Sequence, residues 1–165
     1  MKLKSRETSQ GLIAMITNSN HGALVEINCE TDFVARNKKF HDLAQIILDT
    51  VLKHSMTIEQ DSLVKKTVLS TELINNLHAN DGKNLSDHSA LTIGLIGENI
   101  SIRRALCMSV QPGAYLYGCT HPTPINPVPS SFGRYGALVA LKSDENKQVL
   151  GMQLCQHIIG VYTYL

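Results

Sequence analysis

Nowhere does the chain hold anything near the roughly 20 consecutive apolar residues that a helix needs to cross a bilayer, and charged residues are themselves sparse at 18%. The expectation is a globular chain that works away from the membrane. Basic and acidic side chains nearly cancel, 15 against 14, with no dense Lys/Arg cluster. The electrostatic footprint demanded by a phosphate backbone is therefore missing, and nucleic acid is not the expected partner. The opening MKLKSRETSQ carries basic residues but no apolar segment behind them, so no secretory signal is read there. Neither GxxxxGKS/T nor GxGxxG occurs, which leaves no loop to cradle a nucleotide. Cys29, Cys107, Cys119 and Cys155 form neither a CxxC pair nor a zinc spacing, so free thiols in a reducing compartment are expected. The seven histidines contain no i, i+4 pair. No metal and no cofactor is expected.

What is present suffices for one compact core, since 43% of 165 residues are hydrophobic. GLIAMIT and GALVEINC are strand-like runs joined by turn-tolerant NSNH, which predicts an antiparallel hairpin over 11–29 with Ala23, Val25, Ile27 and Cys29 on its inner face. Phe40, Leu43, Ala44, Ile47, Leu48, Val51 and Leu52 recur every three or four residues, as in an amphipathic helix. Residues 57–96 read as shorter helices, interrupted by HANDGKN and ending at a Gly97 cap. ISIRRALCMSV is expected to be a strand with Ile100, Ile102, Leu106, Met108 and Val110 on one face. A second strand is expected near 113–119, a proline-rich exposed loop over 121–130, a strand at RYGALVAL, and a last helix capped by Ser143-Asp144. Strands, then helices, then strands without βαβ alternation predict an α+β fold, a small antiparallel sheet with helices on one face.

The segment CETDFVARN raises the functional question. Thr31 and Asp32 suit a helix start, but Phe33 needs its own reason. It lies seven residues before Phe40 and so can be the first core residue of that helical stripe. Arg36 and Asn37 interrupt the stripe, however, which leaves Phe33 an isolated ring at a tip, a candidate partner anchor. Cys29 beside Glu30 can be read as a nucleophile, but its place on the inner face of the hairpin favours a buried structural thiol.

LVEINCETDFVARN resembles the signature of elongation factor Ts, the guanine-nucleotide exchange factor of elongation factor Tu. GLI before it, and IGENISIRRA at 96–105, GRYGALVAL at 133–141 and CQHIIG at 155–160 after it, keep that family's order, and the wording is closer to mitochondrial than to bacterial members. The resemblance implies an exchange factor for mitochondrial elongation factor Tu, acting in the matrix by binding alone, without covalent chemistry and without binding nucleotide itself. It implies partner contacts from Thr31, Asp32, Phe33 and Val34, from Tyr135 and Gly136, and from His157. The alternative is a module that docks on elongation factor Tu without efficient exchange; a hydrolase built on Cys29 ranks far below both.

Against the family pattern, residues 1–10 look like a linker remnant following a small N-terminal domain, 11–142 an N-terminal core lobe, and 143–165 the start of a truncated second lobe. YLYG at 115–118 puts Tyr117 where the family has histidine. The apolar residues of the last helix are expected to lack a cover, leaving the last 20 or so residues loose or self-associating.

Overall fold

The protein is described from a computed structural model, over residues 6–122 and 130–163. The hairpin forms as its alternation requires: β1 (Gln10–Thr17) pairs antiparallel with β2 (His21–Cys29), and Ala23, Val25, Ile27 and Cys29 are all buried. A single-turn helix α1 (Asp32–Ala35) leads into α2 (Lys38–Ser55), whose Phe40, Leu43, Ala44, Ile47, Leu48 and Val51 fill the core beneath the sheet. Asn37 caps α2 by accepting the Lys39 N–H.

Residues 57–96 depart from expectation. They contain an edge strand β3 (Val64–Leu69) before the short helix α3 (Thr71–Asn76) and α4 (Leu85–Ile96). Gly97 closes α4 at φ 81°, a left-handed conformation that glycine adopts without a Cβ clash. Next comes β4 (Ile100–Val110), then β5 (Ala114–His121), β6 (Ser130–Gly133), β7 (Tyr135–Lys142) and α5 (Gln148–Thr163). Most of the expected proline-rich loop lies outside the described residues. The expected Ser143-Asp144 cap does not form; the helix starts at Gln148, and Ser143 Oγ accepts only the Glu145 N–H, at 3.4 Å.

Five strands form one antiparallel sheet in the order β3-β4-β2-β1-β6, with the helices α2 to α4 on its inner face. This is the α+β arrangement read from the sequence. In β4 the inward residues switch phase. Glu26 pairs with Arg104 and Ile27 with Ile102, so Arg103 bulges out. Ile100 and Ile102 therefore face the helices, but beyond the bulge Ala105 and Cys107 do, in place of the expected Leu106 and Met108.

β5 and β7 make a second, two-stranded sheet against the outer face of the first. Small residues set this contact: a Cβ on Gly118 would lie 2.6 Å from Met15 Sδ, and one on Gly136 2.7 Å from Ile13 Cγ2. α5 packs on the far side of β5–β7, where Cys155 and Ile159 are buried among Tyr117, Cys119 and Ala137. The expected loose end is thus a seated helix. Its apolar excess is present all the same, since Val149, Leu150, Ile158 and Val161 are exposed. No helix among the described residues is long and apolar enough to cross a membrane.

Candidate functional site

The chain leaving β2 must reverse to enter α2, and it does so through α1, with Thr31 as N-cap in an extended conformation. Thr31 Oγ1 accepts the Val34 N–H at 3.3 Å, and Asp32 occupies the first turn, where a negative charge suits the free N–H groups. Four residues cannot sustain a helix by themselves. The support comes from elsewhere in the chain. Glu98, directly after the Gly97 cap, accepts the Thr31 N–H at 3.2 Å and the Thr31 hydroxyl at 2.9 Å. Conversely, Glu30 accepts the Asn99 N–H at 2.7 Å. At the other end of α1, the His41 ring meets the Ala35 carbonyl at 2.8 Å and the Phe132 ring at 5.2 Å between centroids.

On this tip Phe33 is 80% exposed, so it is not the first residue of the α2 stripe. Asp32 is also exposed and pairs with Arg36 at 3.1 Å, a surface i, i+4 ion pair worth about 0.3–0.5 kcal/mol. Val34 turns the other way and is buried at 6%, anchoring the tip from below. At Gly136 an added Cβ would point between the two sheets, toward Ile13 and Leu24. Beside Phe33 opens a cleft of about 640 Å³, bounded by Asp32 and Arg36 on one side and by Phe132, Gly133 and Arg134 on the other.

Tyr135 follows Arg134 directly and is 41% exposed, at the same end of the molecule as the cleft. His157 is exposed on α5 and does not line the cleft. Gly151 lies against Tyr117, and Cys155 against Cys119. Four helical residues and two strand residues both advance about 6 Å, so α5 runs alongside β5 and carries His157 toward the end where His121 pairs with Tyr135.

Glu98, Glu30 and His41 were not singled out from the sequence. Their contacts bridge 67, 69 and 6 residues respectively, and the first two spans leave no local periodicity to read. Cys29 is fully buried, and burial, with Glu98 nearby adding to it, pushes its thiol up to about 11. A nucleophile needs the opposite shift. Among the described residues no group of three His, Cys, Asp or Glu side chains is placed to hold a metal ion.

Comparison with known proteins places the chain in a family. The family model described as Elongation factor TS matches residues 30–162. A protein named mitochondrial elongation factor Ts from Aedes aegypti is 41% identical over 166 residues, covering 97% of this chain and 54% of that protein. Proteins of the same name from Drosophila melanogaster and Homo sapiens are 38% and 37% identical, each covering 97% of this chain and 52% of their own length. The chain spans about half the length of the curated relatives it matches. The matched residues run from the braced tip through β4 and β7 into α5, and on that extent the chain belongs to the elongation factor Ts family.

Proposed function

We propose that the chain is a guanine-nucleotide exchange factor that promotes GDP release from elongation factor Tu during translation elongation in the mitochondrial matrix. The observation that carries this reading is Phe33, a ring 80% exposed on a helical turn that is braced at both ends. A large apolar side chain carried into water on a braced turn, at the rim of a cleft, is suited to enter a partner's pocket as an anchor. Asp32, Tyr135 and His157 join Phe33 in touching the partner, while Thr31, Val34 and Gly136 shape the surface from behind.

The mechanism is binding alone. A magnesium ion in the partner bridges nucleotide phosphates and protein oxygens, and a wedge that shifts its surroundings removes much of the hold on GDP. By linkage, the factor by which the exchange protein weakens GDP is the factor by which GDP weakens the exchange protein. The chain itself takes no nucleotide, cofactor or nucleic acid in this scheme.

Release of labelled GDP from elongation factor Tu tests the reading: the chain accelerates it and the Phe33→Ala variant does so far less. No acceleration at saturating concentration sinks it. Because the chain spans about half the length of its relatives, a second reading is a module that docks without opening the nucleotide site. Binding in a pull-down without faster release selects that reading.

A further inference from the structure

Phe33 makes no packing that could fix its own direction, and the helical turn beneath it is too short to be stable alone. Its orientation is therefore delegated. Thr31 is the hub: its hydroxyl donates to the Glu98 carboxylate, 2.9 and 3.1 Å from the two oxygens, and the same oxygen accepts the Val34 N–H. The Thr31 N–H, which faces away from the turn, is taken by the same carboxylate. We propose that Glu98 is a positioning residue for Phe33: it locks the N-cap of α1 and so fixes the angle at which the ring leaves the surface.

Glu98 is well placed for this. It follows a left-handed glycine that ends α4 and precedes Ile100, where β4 begins its pairing with Cys29. The carboxylate is thus carried on a short turn between two fixed elements. Glu30 ties the same two segments in the opposite direction through the Asn99 N–H, so the tip and the 98–99 turn hold each other. A single acceptor receiving both donors of Thr31 constrains direction as well as distance, which one hydrogen bond does not. Only the partner arm of the test below rests on the exchange reading.

In the first arm, amide hydrogen exchange is followed in the free chain. Glu98→Ala raises exchange at Val34 to Asn37 by about tenfold or more, while amides of the α2 core from Leu43 to Val51 stay within about twofold. Glu98→Gln, which keeps a carbonyl acceptor at the same reach, restores most of the protection. Unchanged exchange over α1 in Glu98→Ala overturns the proposal. In the second arm, affinity for GDP-bound elongation factor Tu is measured in two backgrounds. Glu98→Ala weakens binding by about tenfold when Phe33 is present and makes no further difference when Phe33 is already alanine, as expected of a group acting through Phe33. Equal losses in both backgrounds mean a merely structural role and overturn it. Should Glu98→Ala not fold, Glu98→Asp, which draws the carboxylate back by one carbon and leaves the Thr31 cap on Val34 intact, takes its place in both arms. If the unaltered chain neither binds the partner nor speeds release, the exchange reading fails by itself, and the first arm alone decides whether Glu98 holds the tip.

Discussion

Alanine at position 33 removes a ring that is 80% exposed, whereas alanine at Leu43 empties a site that is 2% exposed. The two variants are expected to separate cleanly. Leu43→Ala costs about 2–5 kcal/mol of stability, and Phe33→Ala less than about 0.5 kcal/mol, as for other surface changes. Against the partner the order reverses, because burying a Phe contributes about 1.5–3 kcal/mol, a tenfold to hundredfold loss of affinity when it is gone. Thermal melts beside a binding titration check this; equal loss of melting temperature would return Phe33 to the core. Thiols give a pH prediction. Cys29 and Cys107 are raised from 9.0 to about 11, chiefly by burial. The folded state thus holds their protons more tightly than the unfolded chain. Their contribution is complete below pH 9 and is lost as pH rises from 9 toward 11, where the unfolded thiols ionise first. Urea denaturation at pH 8 and pH 10.5 is expected to show the drop, and Cys107→Ala to make it shallower. At this scale the sequence was readable where a residue broke a pattern, as Arg36 and Asn37 isolated Phe33. It was silent on Val34 and Gly136, whose directions depend on elements far along the chain.

Hairpin and long helix were legible because β1 is a continuous apolar run, NSNH marks the turn, β2 alternates from Ala23 to Cys29, and α2 repeats every three or four residues from Phe40 to Val51. β3 was not, for a physical reason: among the described residues it pairs only with β4, and Lys65 and Lys66 sit in its middle. An edge strand needs few apolar residues, and charged ones protect its open side. The face of β4 was legible only as far as the bulge. Alternation assumes that every residue has a partner opposite, and Arg103 has none. α5 offers a direct test of how an element is seated. A Cβ on Gly151 would stand 2.3 Å from the Tyr117 ring. Gly151→Ala gains about 1 kcal/mol of helix propensity, yet overpacking of this kind typically costs about 1–3 kcal/mol, so the seat is expected to loosen. Faster hydrogen exchange over 151–159, with β1 and β2 unaffected, is the expected result. An unchanged or stiffer α5 would mean that Tyr117 swings aside at little cost.

Across the molecule, four layers are stacked: helices, the five-stranded sheet, the two-stranded sheet and α5. The outermost carries Leu150, Leu154 and Ile158 at four-residue spacing, with Leu150 and Ile158 exposed and Leu154 half-buried. Such a stripe favours association. Sedimentation velocity is expected to show concentration-dependent self-association that the double variant Leu150→Gln, Ile158→Gln abolishes, while a wild-type chain that stays monomeric at high concentration would contradict it. The stack as a whole was less legible than its parts, because no local pattern says which face of a sheet a later strand will cover. The clasp between the tip and the 98–99 turn also imposes an order in time. A chain emerging from the ribosome exposes Thr31 well before Glu98, 67 residues later. The hairpin and α2 are complete by residue 55, yet α1 has no carboxylate to hold it until the turn before β4 has been made. The strand that flanks β2 and gives Ile100, Ile102, Ala105 and Cys107 to the core also follows Glu98, so core and set tip mature together, and a chain halted short of residue 98 carries Phe33 with neither complete.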